Sequence, residues 1–447
     1  MLKLKLWTLA GIILMFSACK KDLGPDVEPV NLNMQITLDA SIAGPSYPLN
    51  KVAVVITNLG NNQKNTSTAD AQGKIIFNSL SPGNYDIQAT LTLTAAEYTA
   101  ITGEFAQNEI VFNGSIQENI TAQTGTLNVP LIYGKLANEW IIKQIYYAGS
   151  NAANGAVFRD QFLELYNNSD HAIYADSLYF GQAYGVNTAK SSQDLSKSWF
   201  LPTGSYDWTK ATGMNDVKAN EGYVYLKNLY MIPGTGKQYK VEPGTSIIIA
   251  QNAQNHQAAY IGASGDPITV KDPSLTIDLS KADFEVYLGK YPGNNPLGSD
   301  VDNPQVLNTE TFLQGNNRDL ILDNLGRDGI VIFKKSGSPT AWSRFQSPDK
   351  PTLSASEALY MQIPVADLID VVELQQTDVS KRTAKRVPLK CDAGYTYVPG
   401  GSYSSQSSIR KTKTTVDGRR ILQDTNNSAN DFTSLTKADP TKTQFGN

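Results

Sequence analysis

Apolar side chains recur at every second position through the first third of this chain. Val52, Val54 and Ile56 alternate with polar or smaller neighbours, and Tyr85, Ile87, Ala89 and Leu91 repeat the pattern. A period of two sends successive side chains to opposite faces, which is the signature of a half-buried strand. No long amphipathic helix can be read anywhere. Pro364, followed by Val365, Ala366, Asp367, Leu368 and Ile369, offers one short helical turn, since proline is tolerated at a first helical position. The expected class is all-β.

Ordered structure is expected from Met34, and the strand pattern continues to about Val129. Gly73 and the turn Ser81-Pro82-Gly83-Asn84 punctuate two of the strands. A turn of this kind followed by an aromatic strand resembles the carboxypeptidase-regulatory or transthyretin-like sandwiches. That resemblance implies an immunoglobulin-like β-sandwich over residues 34–133, acting as a spacer.

A second unit is expected over residues 138–447. In "EWIIKQIYYAGSNAANGAVFRDQFLELYNNSD" two alternating strands flank a Gly/Asn-rich loop. The isoleucine-rich strand, the "FLELYNNSD" strand and its turn resemble the opening of lamin-tail-like domains. Downstream, "VEPGTSIIIAQNAQNH" (241–256), "SSIRKTK" and "DGRRILQDTNNSANDF" (within 407–432) extend the likeness. With "LSKADFEVYL" and "SDVDNPQVLN", the set is similar to an uncharacterised family of Gram-negative lipoproteins known as a domain of unknown function. The resemblance implies a lamin-tail-like β-sandwich enlarged by long insertions between about 180 and 355, and it brings no activity with it.

The N-terminus addresses location. Lys3 and Lys5 precede an apolar run from Leu6 to Phe16, and Ser17 and Ala18 precede Cys19. This is a secretory pattern, too short for the roughly 20 apolar residues of a membrane span. The small residues before Cys19 resemble a lipobox, although Phe16 stands where an aliphatic residue is usual. The resemblance implies a signal peptide over 1–18 and a diacylglycerol-modified Cys19, followed by a Pro-rich, charged tether over 19–33. Lys20, Lys21 and Asp22 partly resemble the signal that places such proteins on the cell surface of the outer membrane. The only other cysteine is Cys391, so no intramolecular disulfide framework is available. A formal net charge of −4 points to no nucleic-acid partner.

Catalytic motifs are not found. The chain lacks a G-x-S-x-G elbow, an H-E-x-x-H zinc motif and paired cysteines, and "PGTGKQY" (233–239) lacks P-loop spacing. Both histidines, His171 and His256, fall in Asn/Asp/Gln-rich segments that read as surface turns. Two oxygen-rich loops carry hard-ligand residue types suited to calcium: Asp300, Asp302 and Asn303, and Asp424, Asn426 and Asp431. The same residue types also cap turns. Ten basic residues between Lys381 and Arg420, against two acidic ones, read as a solvated face.

Aromatics in a loop are the strongest binding signal. "KSWFLPTGSYDWTK" (197–210) holds Trp199, Phe200, Tyr206 and Trp208 among Gly, Pro and Ser, without strand alternation. Flat rings so placed either stack on sugars, other ring-bearing ligands or partner proteins, or plug the end of a sandwich. The expected function is non-catalytic: ligand capture, a glycan among the candidates, or docking on a surface protein such as a TonB-dependent transporter. The alternatives are a metal-dependent hydrolase of glycans or phosphoesters and a structural adhesin. The metal alternative rests on the Asp/Asn loops.

Overall fold

The computed structural model describes residues 28–39, 42, 46–106, 109–133, 139–315 and 318–447. The expected signal peptide, Cys19 and most of the tether lie outside the described residues. The chain is nearly all β, with 37% strand and 9% helix. None of the described helices is long and apolar enough to cross a membrane.

Seven strands build the first unit: β1 (Val30–Leu38), β2 (Ala53–Asn58), β3 (Lys64–Thr68), β4 (Lys74–Leu80), β5 (Gly83–Leu93), β6 (Ile110–Ile120) and β7 (Leu127–Tyr133). They hydrogen-bond in the order β3-β2-β5-β6-β7-β1-β4. The first strand starts four residues before the expected onset of order, because Val30 and Leu32 pair with β4 and are buried. Only Phe112 and Asn113 of β6 pair with β7, so the sheet turns a corner there. It encloses Leu32, Ile36, Val54, Ile56, Ile87, Leu91 and their neighbours. These are the alternating positions of the sequence.

Gly73 is obligatory at the β3–β4 connection. Its φ is +79°, and a Cβ would stand 2.5 Å from the Ile36 carbonyl oxygen. One element has no counterpart in the sequence expectation. Helix α1 (Ala95–Thr102) follows β5, opened by a Thr94/Glu97 capping box and closed by Gly103 in a left-handed conformation.

Two sheets face each other in the second unit. One contains β8 (Trp140–Tyr146), β9 (Phe162–Asn167), β12 (Ser246–Ala250), β13 (Phe284–Glu285), β17 (Ser407–Arg410) and β18 (Phe432–Leu435), in the order β13-β12-β9-β8-β17-β18. The other contains β10 (Tyr179–Ala183), β11 (Tyr223–Met231), β14 (Gly329–Phe333), β15 (Tyr360–Pro364) and β16 (Leu368–Glu373), in the order β15-β11-β10-β14-β16. The short helical turn expected after Pro364 is present at Val365–Asp367, between β15 and β16. Ile142, Leu165 and Ile249 from one sheet meet Phe180, Tyr230, Ile332 and Val372 from the other. That is sandwich packing of two inner faces.

The outer faces are buried as well. Tyr146, Phe162 and Ile248 lie under Ile277, Leu279 and Val306 of the long segment between β12 and β14. Tyr179, Val331 and Phe333 lie under Trp342, Val387 and Cys391. Every residue of β8 is therefore buried, including Lys143. Lys143 pairs with Glu164 at 2.8 Å and sits 3.8 Å from the ring centre of Phe445 in the C-terminal segment. Residues 180–355 supply β11, β12, β13 and β14 to the sandwich and then cover it.

The two units touch through side chains of β5 and β6. Asn113 Nδ2 donates to the Thr425 carbonyl at 2.6 Å, and Asn427 Nδ2 donates to Gln88 Oε1 at 3.2 Å.

Candidate ligand-binding surface

The aromatic loop leaves the end of β10 and returns in β11, and its local hydrogen bonds explain its shape. Phe200 and Tyr206 face each other in an antiparallel bridge, with Leu201 N donating to Ser205 O at 2.9 Å. Asp207 caps the turn at Trp208–Lys210 by accepting from Thr209 N, and Asn220 Nδ2 donates to the same carboxylate at 2.8 Å. Trp208 is thereby fixed, 6% exposed, with its ring stacked on Tyr225. It is a core residue.

The remaining rings form a ladder from the core to the surface. Tyr184 and Tyr360 stack at 3.5 Å between centroids and 11° between planes. Tyr206 stacks on Tyr184 at 5.8 Å, Phe200 on Tyr206 at 5.8 Å, and Trp199 meets Phe200 edge-on at 6.2 Å. Trp199, Phe200, Tyr206, Tyr184 and Tyr360 are all half-buried. Of the four candidates, then, the structure sends Trp208 inward and leaves Trp199, Phe200 and Tyr206 half-exposed.

Polar groups accompany the rings. Burial raises the pKa of Tyr206 and of Tyr360, and the neighbouring Tyr184 and the Asp349 carboxylate add to the effect. Both phenols therefore keep their protons, and they share hydrogen bonds with Tyr184 and, for Tyr206, with Asp349. Asp349 Oδ1 is buried and has no hydrogen-bond partner. Half-exposed aromatic rings backed by this phenol–carboxylate cluster suit a ring-bearing ligand. Tyr184, Tyr225, Asp349 and Tyr360 were missed by sequence reasoning, because they lie in separate segments and meet only through the pairing of β11 with β10 and β15.

The oxygen-rich loops resolve differently. Asp302 pairs with Lys290 at 3.0 Å and accepts from Asn308. Asn303 spends its amide on the Ala253 and Ser280 carbonyls, and its backbone N–H goes to Glu285. Asp300 stands apart from both, against Asp319. Asp424 and Asp431 instead surround the buried guanidinium of Arg410, at 3.2 and 3.8 Å, with Asp370 at 2.5 Å. Asn426 follows Asp424 in a left-handed conformation at the turn, φ +53°, and its N–H approaches Asp424 Oδ1 at 3.4 Å. Among the described residues no three His, Cys, Asp or Glu side chains are grouped to hold a metal ion.

Two expectations are corrected. His256 is not a surface residue: it is 1% exposed, donates from Nε2 to the Asn252 carbonyl at 3.1 Å, and burial lowers its pKa to about 4. The basic run is not a uniformly solvated face either. Arg382, Arg386 and Arg410 are buried, Arg386 against Glu373 and Arg382 against the rings of Tyr395 and Tyr397. Their charges neutralise interior carboxylates or stack on aromatics instead of facing solvent.

A separate open cleft of about 450 Å³ is lined by Asp176, Ser177, Thr235, Gly236, Lys334, Lys335 and Ser336. Its charges are engaged internally. Asp176 accepts the N–H groups of Gly236, Gln238 and Tyr239, and Lys335 pairs with Asp367.

These features define a two-unit β protein whose second, sandwich unit carries a cluster of half-buried aromatic rings on its long loops. Residues 242–439 match the model of a family described as a protein of unknown function (DUF4876). The chain is similar to the crystal structure of a DUF4876 family protein from Bacteroides thetaiotaomicron VPI-5482, with 25% identity over 91% of this chain and 95% of that one, at a TM-score of 0.50. A DUF3823 family protein from Parabacteroides merdae ATCC 43184 aligns at 11% identity over 35% of this chain and 67% of its own, at a TM-score of 0.16. No curated protein matches the chain.

Proposed function

We propose that this protein is a non-catalytic binding protein, tethered through a lipid on Cys19 to the outer membrane and displayed at the cell surface, that captures a glycan on its aromatic loop. One observation carries the reading. Trp199, Phe200 and Tyr206 stay half-exposed in a loop whose backbone is fixed by capping bonds and by the Trp208 anchor. A scaffold that immobilises aromatic rings reduces the ordering cost of stacking on a sugar. The first unit acts as the spacer, and the second is read as lamin-tail-like.

The test is a glycan array probed with the full chain and with Trp199→Ala and Phe200→Ala variants. Binding to a defined set of glycans that both variants lose supports the reading. Binding that survives both substitutions contradicts it. Globomycin treatment or mass spectrometry of the native protein tests the anchor, and an unmodified Cys19 thiol would refute it.

A further inference from the structure

Asp300 and Asp319 are opposed carboxylates in the interior, 3% and 1% exposed. Neither oxygen of Asp300 is accessible or makes a well-formed hydrogen bond, and the groups that act on it are the Asp319 carboxyl and the Leu288 N–H. Asp319 Oδ1 accepts one long bond from Leu297 N at 3.3 Å. Among the described residues no lysine, arginine or histidine forms an ion pair with either carboxylate. The Arg318 charge reaches Asp319, but its guanidinium donates to the carbonyls of Asn295 and Pro296.

A third buried carboxylate adds to the negative field. Glu285 accepts from Ala253 N and Asn303 N, and its charge raises the pKa of Asp300 further. Burial is the largest cause of that rise, and Asp319 is the next. Beside them, Asn252 donates to the Ser299 carbonyl, one residue before Asp300, while its own Oδ1 is buried without a partner. Tyr260 holds the same carbonyl at 3.0 Å.

Two carboxylates in contact cannot both stay ionised unless something positive lies between them. A shared proton supplies one hydrogen bond and leaves Asp300 otherwise with only the poorly formed approach of the Leu288 N–H, where a buried, incompletely satisfied acceptor costs ~1–3 kcal/mol. A hard cation meets several oxygens at once and tolerates irregular geometry when it is of calcium's size. We propose that Asp300 and Asp319 bind a calcium-type divalent cation between their carboxylates, joining the segment around 297–303 to that around 318–320. The site is independent of the aromatic surface. It shares only Asp300 with the calcium pattern legible in the loop sequence.

The experiment uses the full chain after chelator treatment, with calcium chloride alone as the probe. Titration calorimetry is expected to show one ion bound per chain, and thermal unfolding a rise in Tm on adding calcium. Asp300→Asn and Asp319→Asn should each abolish both effects, while Asp302→Asn, outside the pair, should retain them. Absence of heat and of a Tm rise at millimolar calcium would overturn the proposal in favour of a shared proton. Binding that persists in both Asn variants would overturn it as well. Should one variant fail to fold, the wild-type titration and the other variant decide.

Discussion

The indole of Trp208 and the phenol of Tyr225 lie face to face, 3.5 Å between ring centroids and 9° from parallel. The Tyr225 hydroxyl is tied to the Ala219 carbonyl at 3.0 Å and accepts from Gln362 Nε2 at 3.2 Å. Trp208 thus anchors the loop to β11, and the other rings inherit their positions from it. Trp208→Ala should cost ~3–5 kcal/mol of stability, as for other buried tryptophans. Trp199→Ala, at a half-exposed ring, should cost under about 1 kcal/mol. Urea unfolding of the two variants distinguishes them, and equal costs would show that the loop is not organised around Trp208.

Arg410 serves Asp370, Asp424 and Asp431 together in the interior. Arg410→Met should cost ~3–5 kcal/mol at neutral pH, because three carboxylates then lose the buried guanidinium that ion-pairs with all of them. Burial already holds the pKa of Asp370 and of Asp431 above the ordinary carboxylate range, with Arg410 opposing the rise. Removing the guanidinium raises both further, so the loss should shrink as the pH falls and the acids take up protons. Urea midpoints at pH 7.5 and pH 5 measure this. A penalty independent of pH would contradict it.

Asp160 gives a cleaner pH dependence. Tyr146 Oη donates to its Oδ2 at 3.2 Å, its Oδ1 has no partner, and burial raises its pKa to about 7. An acid whose folded pKa lies above its unfolded value of about 4 contributes stability that is complete below that value and lost as pH rises through about 7. His256 runs the other way. Its folded pKa of about 4 lies below the unfolded value, so its contribution is present above about 6.5 and lost on acidification. Asp160→Asn removes the first trend and leaves the second. The stability difference, variant minus wild type, should therefore grow in the variant's favour by a few kcal/mol between pH 4 and pH 7.5. A difference that stays flat would place the Asp160 pKa in the ordinary range.

At the junction of the two units, Asn113→Ala removes the donor to the Thr425 carbonyl. The expected cost is ~1 kcal/mol, concentrated locally. Hydrogen exchange should accelerate around residues 425–428 while β8 and β9 keep their protection. Faster exchange throughout the second unit would mean that the junction supports the whole sandwich.

Strand content was legible because alternation survives wherever one face is polar. Val54, Ile56, Ile87 and Leu91 are core residues for the reason their spacing implies. In β8 the same logic gives the strand but not the burial of Lys143, whose partner Phe445 lies about three hundred residues away. Helix α1 carries a Thr94-x-x-Glu97 capping signature, but the weak apolar face behind it gives no helical period to support it. The aromatic surface was half legible. Local composition exposed Trp199, Phe200, Tyr206 and Trp208, yet only the pairing of β10, β11 and β15 shows that Tyr184 and Tyr360 join them and that Trp208 faces inward. Asp300 belongs to an oxygen-rich loop legible in the sequence, and Asp319 lies in a second Asn/Asp-rich stretch, GNNRDLILDN, but nothing in the spacing of the two pairs them.

Glycan binding by the full chain, compared with a Trp199→Ala/Phe200→Ala/Tyr206→Ala variant of matched unfolding midpoint, tests the central claim most directly. The account predicts saturable binding of the wild type to at least one glycan class and its loss in the triple variant. Equal binding by both proteins, or none by the wild type across a broad array, would contradict it.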